Sequence, residues 1–350
     1  MIEFYLIKIL FLGTLAFVFT IGWTPLLTHL LYKYKLGKRI RNGGLTPIFS
    51  RLHAKKSGTP TMGGVLIWVS TLILALVFYY LAQIWPGGFL GKLNFLSRTE
   101  TLLPLGVLVA SAIVGLIDDW LDVRGKGVFG GGGLKIRHRL LIYTLIALVG
   151  ALWFYFKLEW TQFHIPFLGG FNLGWWYIIV FVFIIVATAF SVNETDGLDG
   201  LAGGTLLISF SAYAVICFVM GRYDLAVFCA VIVGALLAFL WFNITPARFY
   251  MGDTGAMSLG ITLGVIALLT NTAMLLPIIG LVFVVESLSV IIQMLSKKLR
   301  HGKKVFLSAP IHHHLEASGW SEAKVVMRFW VIGGVSAVLG LSIFLLDKLI

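Results

Sequence analysis

Ten stretches of this chain are apolar for nearly the length of a membrane-spanning helix. They run roughly over 4–30, 62–84, 102–121, 140–156, 174–192, 203–220, 225–242, 255–270, 274–296 and 328–346. A spanning helix takes about 20 apolar residues, within a range of roughly 17–25. The runs are continuous, which excludes the alternating strands of a membrane barrel. Lipid offers no partner to an open backbone, so each run must be helical. Of the 350 residues, 59% are hydrophobic and 12% charged, about half the charged share of a soluble domain. The expected fold class is therefore all-α: a polytopic integral membrane protein of about ten transmembrane helices, one domain over 1–350. The opening MIEFYLIKIL has no basic leader and no small-residue cleavage site, so the first run reads as a retained helix. Cys217 and Cys229 lie inside apolar runs and read as small buried hydrophobes.

The formal charge of +12 invites a nucleic-acid reading, but the basic residues follow the topology instead. The connection 31–61 holds Lys33, Lys35, Lys38, Arg39, Arg41, Arg51, Lys55 and Lys56 with no acid. The third holds Arg124, Lys126, Lys135, Arg137 and Arg139; the seventh Arg248; the ninth Lys297, Lys298, Arg300, Lys303, Lys304, Lys324 and Arg328. All are odd-numbered connections, which share one side, and the positive-inside rule makes that side cytoplasmic. Ten spans then place both termini on the outer, periplasmic side. The expected partner of the basic excess is anionic membrane lipid, with no nucleic acid.

The acids gather on that same side, which the rule for lysine and arginine does not explain. GLIDDWLD (115–122) offers Asp118, Asp119 and Asp122. NETDGLDG (193–200) offers Asn193, Asp196 and Asp199. WFNITPARFYMGDTG (241–255) offers Asn243 and Asp253, with Gly252 and Gly255 open to a ligand's close approach. APIHHH (309–314) adds His312, His313 and His314. Asp118 and Asp119 follow ASAIVGLI at a membrane edge, where two adjacent carboxylates need a cation or a raised pKa. Mg²⁺ suits them, since it takes one or two carboxylates plus phosphate oxygens. Acids, amides and histidines on one face point to metal-assisted phosphoryl chemistry. Each also has a plainer use: Asp-Gly pairs form turns, Asp253 stands where a helix cap would, and Glu286, the lone midspan acid in FVVESLSV, suits a pairing with a neighbouring helix.

These motifs resemble one family. HAKKSGTPTMGG (53–64), GLIDDW (115–120), NETDGLDGLAGG (193–204), WFN with FYMGDTG (241–255) and GKKVFLSAPIHHHLEASGW (302–320) are similar to the signatures of MraY, the phospho-N-acetylmuramoyl-pentapeptide transferases, in that family's order. The resemblance implies transfer of phospho-MurNAc-pentapeptide from UDP-MurNAc-pentapeptide to undecaprenyl phosphate at the bacterial inner membrane, giving lipid I and UMP, with Mg²⁺ as cofactor. It implies that Asp253 is the metal ligand and that Asp118 and Asp119 are the catalytic pair, Asp118 the base or nucleophile. Asn193, Asp196, Gly197, Leu198, Asp199 and Asn243 would line the nucleoside and diphosphate pocket. Tyr250 stands where a Phe usually meets the uracil, and its ring keeps a stacking face. Lys56 would neutralise phosphate charge, and the loop of catalytic His312 with His313 and His314 would close over the substrate.

Four features depart from the pattern: Asp122 and Arg139 stand where lysines are usual, Phe190 replaces an Asn, and the run FGGGGLK (129–135) is glycine-rich. Asp122 and Arg139 are similar instead to polyprenyl-phosphate GlcNAc-1-phosphate transferases, the alternative enzyme reading. A transporter or flippase is the alternative of another class, with Glu286 its one supporting residue. A homodimer is compatible with the sequence.

Overall fold

The computed structural model describes residues 2–37, 56, 58–98, 100–125 and 136–350 of the protein. Lys38, Arg39, Arg41, Arg51, Lys55, Lys126, Lys135 and the 129–135 glycine run lie outside the described residues, as does part of HAKKSGTPTMGG. The chain is mostly helical. Eleven helices matter here: α1 (Ile2–Lys33), α2 (Val65–Ile84), α3 (Leu102–Arg124), α4 (Ile136–Leu152), α5 (Trp176–Thr195), α6 (Leu201–Val219), α7 (Tyr223–Asn243), α8 (Asp253–Leu269), α9 (Leu281–Leu299), α10 (Ile311–Ala317) and α11 (Glu322–Asp347).

Among the described residues, eight helices are long and apolar enough to cross a membrane: α1, α2, α3, α4 with the turn that extends it to Lys157, α5, α6, α7 and α11. A ninth crossing comes from Ala273–Ile279 and α9 together, which meet at 82°. All ten apolar runs are thus helical, but two of them are not single straight helices of spanning length. The ninth run is broken at Gly280. The eighth, α8, has 17 residues, a length of about 25 Å against a hydrocarbon core of about 30 Å. It is also the most enclosed helix, buried from Thr254 through Leu269, with α3 and α5 as its main neighbours. A helix apolar on every face belongs in the centre of a bundle.

The all-helical expectation is corrected between α4 and α5. There Gln162–Ile165 (β1) and Gly169–Asn172 (β2) form an antiparallel hairpin, with Phe163 opposite Phe171. The preceding turn Trp153–Lys157 is a π-helix.

Two close approaches position the site. A Cβ at Gly115 of α3 would meet the backbone of Asp253 and Thr254, so glycine lets α3 lie directly on the start of α8. Gly252, just before α8, has φ +73°, and a Cβ there would meet the Asp119 carboxylate and the Thr61 hydroxyl. Both approaches fix where the carboxylates of α3 stand.

Candidate active site

The two adjacent aspartates of α3 do different work. Successive helical residues point about 100° apart. Asp119 turns toward the start of α8, and its two oxygens accept the backbone N–H of Asp253 and of Thr254, each at 3.0 Å. Those amides are among the four that a helix leaves unpaired, at its positive end. Thr61 Oγ1 lies 3.5 Å from Asp119 Oδ1, and Thr254 Oγ1 donates to the Ala112 carbonyl of α3 at 2.9 Å. Asp119 therefore fastens α8 to α3. Asp118, also buried, turns toward α4.

Arg139, on the first turns of α4, is the hub. Its Nε donates to Asp118 Oδ2 at 3.0 Å and its Nη1 to Asn193 Oδ1 at 3.1 Å. Its Nη2 lies 2.7 Å from Asp253 Oδ2. The Asn193 amide closes the ring by donating to Asp253 Oδ1 at 2.6 Å. A planar guanidinium reaches three partners at once because its donors form a rigid fork. One point is thereby ringed by the end of α3, the start of α4, the end of α5 and the start of α8; the start of α4 is not among the motif stretches.

The 193–200 connection carries this ring to a second cluster. Asp196 Oδ2 accepts the N–H of Gly252 at 3.2 Å. Asp199 Oδ1 pairs with Lys56 Nζ at 2.7 Å, and Asp199 Oδ2 accepts the Ala247 N–H at 3.1 Å. Lys56 also pairs with Glu322, at the start of α11, whose Oε1 accepts the Asp199 N–H at 2.8 Å. Burial alone would lower the pKa of the Lys56 ammonium, but the hydrogen bonds and charges of Asp199 and Glu322 outweigh it and raise the pKa. Asn243 brackets two loops, accepting the Gly200 N–H at 2.9 Å and donating to the Phe249 carbonyl at 2.8 Å. Leu198 is buried in a small apolar cluster with Leu201, Val282, Val325, Val326 and Phe329. Tyr250 lies beside Lys56, its hydroxyl 3.4 Å from the Lys56 carbonyl. Burial, with the charges of Asp199 and Glu322, raises its phenol pKa against a hydrogen bond with Thr59 and the Lys56 charge.

The three histidines of α10 point different ways. His314 Nδ1 accepts the Leu307 N–H at 3.2 Å. His313 Nδ1 lies 2.8 Å from Glu316 Oε2. His312 is fully buried, with Nδ1 2.8 Å from Oε2 of Glu286. The midspan acid therefore finds a neighbour's polar group, as the plainer reading expects.

Asp118, Asp253 and Asn193 each turn an oxygen to the Arg139 guanidinium, and carboxylate and amide oxygens are the donor types that Mg²⁺ takes. Among the described residues no three His, Cys, Asp or Glu side chains close around one metal position. The remaining ligands would be substrate phosphate and water, the usual arrangement for Mg²⁺.

Three contributors escape a reading of the sequence. Thr61 lies inside HAKKSGTPTMGG but is not singled out there, and Glu322 meets Asp199 across 123 residues. Arg139 is visible as a departure, but its position between Asp118 and Asp253 is not.

Residues 101–271 match the glycosyl transferase family 4. Residues 56–67 match the phospho-N-acetylmuramoyl-pentapeptide-transferase signature 1. The chain is 42% identical over 354 residues to the phospho-N-acetylmuramoyl-pentapeptide-transferase of Chloroflexus aggregans, covering 97% of this chain and 90% of that one. It is 42% identical over 334 residues to the enzyme of that name from Geobacillus sp. WCH70, covering 94% and 95%. With that of Anoxybacillus flavithermus it shares 42% identity over 337 residues, covering 96% and 97%.

Proposed function

Because the chain belongs to the phospho-N-acetylmuramoyl-pentapeptide-transferase family, we propose that it transfers phospho-MurNAc-pentapeptide from UDP-MurNAc-pentapeptide to undecaprenyl phosphate. The products are lipid I, a precursor of peptidoglycan, and UMP. The observation that carries the site assignment is the convergence of Asp118, Asp253 and Asn193 on Arg139 from four helices.

The chemistry follows from this chain's own groups. An oxygen of the lipid phosphate attacks the sugar-bearing phosphorus of the UDP-sugar; the bond to the other phosphate breaks and UMP leaves. Asp118 is the carboxylate of the adjacent pair not spent on the α8 amides, which supports it as the group that takes the lipid phosphate's proton or attacks first. Asp119 holds Asp253 and Thr254 in place. Asp253, with Asp118, would hold Mg²⁺, which when bound polarises the diphosphate as a Lewis acid. Arg139 and Lys56 supply the positive charge that two approaching phosphate groups need. Asp196 and Asp199 would form the wall of the nucleotide pocket beside Tyr250. The site lies on the cytoplasmic side of the inner membrane in this reading, where a soluble nucleotide meets a lipid phosphate.

The test is UMP release by detergent-solubilised protein with undecaprenyl phosphate and Mg²⁺, comparing UDP-MurNAc-pentapeptide with UDP-GlcNAc. Turnover of the first alone is expected. Turnover of UDP-GlcNAc alone would make Asp122 and Arg139 the better guides to specificity. No turnover of either, beside an active relative, overturns the assignment.

A further inference from the structure

Glu286 and His312 form a buried pair that the transfer chemistry above does not use. Both side chains are fully buried. Each spends one polar atom on the other, at 2.8 Å. Each also has one polar atom, Glu286 Oε1 and His312 Nε2, that is buried with no hydrogen-bond partner in the structure. A buried polar atom left without a partner costs about 1–3 kcal/mol, so two in one pair ask for a reason.

The second face of the imidazole supplies it. A Cβ added to Gly197 would run into His312, with Nε2 the nearest atom and Cε1 next. Gly197 lies between Asp196 and Asp199, in the connection that carries the nucleotide wall. Its own N–H turns back to the Thr195 carbonyl at 2.8 Å. The imidazole edge therefore lies directly beneath that backbone. Glu286 comes from the other direction. It sits on α9, the long arm of the bent pair, whose neighbouring Ser287 hydroxyl receives the Ser191 hydroxyl of α5 at 2.9 Å. On the same helix Gln293 Oε1 accepts the N–H groups of Val305 and Phe306 at 2.9 and 3.0 Å, and its amide donates to the Phe306 carbonyl. The loop that leads to the histidines is thus tied to the helix that bears Glu286.

We propose that Glu286 is a positioning residue: by holding His312 Nδ1 it keeps the opposite edge of the ring under Gly197, so that α9 sets the shape of the 193–200 nucleotide connection. Neither residue need touch substrate for this. A carboxylate that takes the Nδ1 proton in a hydrogen bond fixes which edge of the ring faces Gly197, in the way outer partners fix histidine orientation elsewhere. Gly197 has no side chain because the ring fills that space.

The inference rests on the transferase reading, but half of its test does not. Glu286→Leu, Glu286→Asp and Glu286→Gln are purified in detergent beside the wild type. Each is treated with diethyl pyrocarbonate, and modification of His312 is mapped by mass spectrometry. His312 should be spared in the wild type and in Glu286→Gln, whose amide oxygen still accepts from Nδ1. It should be modified in Glu286→Leu and, to a lesser degree, in Glu286→Asp, which carries the test if the leucine variant does not fold. UMP release is then measured. The KM for the UDP-sugar should rise about tenfold in Glu286→Leu, the KM for the lipid phosphate should stay within about twofold, and Glu286→Gln should restore both. A merely unfolded fraction would lower kcat and leave both KM values where they were. If His312 is equally spared in every variant, or if the KM for the UDP-sugar does not move, Glu286 does not position the ring. If the modification pattern holds while UMP is released by no variant and not by the wild type, the positioning stands and the transferase reading fails.

Discussion

At the scale of single residues, the adjacent aspartates of α3 separate structure from chemistry. Asp119 accepts the two leading amides of α8, so Asp119→Ala leaves those amides unpaired in a buried place and should cost about 1–3 kcal/mol of stability. Asp118→Asn should cost less, because the amide oxygen still accepts from Arg139 Nε, yet it can neither take a proton nor attack. Turnover of that variant should fall by at least about a hundredfold. Unfolding midpoints in detergent and UMP release, measured on both, distinguish the two roles; a wild-type midpoint for Asp119→Ala would remove the fastening role. The identity of both residues was legible in GLIDDW, and so was their membrane-edge position. Their division of labour was not, since it depends on which element faces each side of α3. Asn243 and Leu198 teach the same lesson. The resemblance makes them pocket residues; the structure adds that Asn243 has two backbone partners and that Leu198 lies in an apolar cluster.

At the scale of elements, Lys56 joins three segments distant in sequence: the first connection, the 193–200 connection and the start of α11. Its pKa is raised above the ordinary 10.5 by Asp199 and Glu322, despite burial. A raised lysine pKa means the folded state holds the proton more tightly than the unfolded chain. The stabilisation is then complete below the unfolded value and is lost as pH rises through the folded one. Lys56→Met should lower the unfolding free energy by about 1–3 kcal/mol, for removing one partner of a hydrogen-bonded charged group, and the unfolding midpoint with it. The gap to the wild type should be constant across neutral pH and should narrow only above about pH 10.5. A gap that is already narrowing at pH 8 would show that the ion pairs are not what Lys56 contributes. The helical character of the ten apolar runs was legible because lipid leaves a continuous apolar run no other fold. The hairpin 162–172 was not, being too short for a periodic signal. The break at Gly280 was not either, and α9 reads as apolar although it buries Glu286, Ser287, Ser289, Gln293 and Ser296 beside Val282 and Phe283.

At the scale of the whole molecule, the contacts divide the connections by parity. Lys8, near the start of α1, pairs with Asp224 at the start of α7 at 3.1 Å and donates to the Asn94 carbonyl. Asp347, at the end of α11, lies 2.6 Å from His164 of β1, and Lys348 donates to the Val219 carbonyl at the end of α6. The second, fourth and sixth connections thus share one end of the bundle with both ends of the described chain. At the other end Tyr32 donates to the Arg248 carbonyl, and Gly63 and Gly64 donate to the Tyr250 and Met251 carbonyls. The first and seventh connections share that end with the site. The exposed cations Lys297 and Lys298 in the last turn of α9 and Arg300, Lys303 and Lys304 just after it lead the positive-inside rule to predict a cytoplasmic position for the site's end. A reporter that works only in the periplasm, fused after Ile350, should be active, and one fused within the 301–305 loop should be silent. A cysteine placed at Lys303 should react with a membrane-impermeant maleimide in inverted vesicles but not in intact spheroplasts. The opposite pattern would turn the molecule over, and with it the expectation that Asp118, Arg139 and Lys56 meet a cytoplasmic nucleotide. The electrostatics favour the first outcome: a face that must draw a doubly anionic nucleotide to a lipid phosphate gains from a surrounding positive field, and the same lysines and arginines on which the expected orientation rests would provide it.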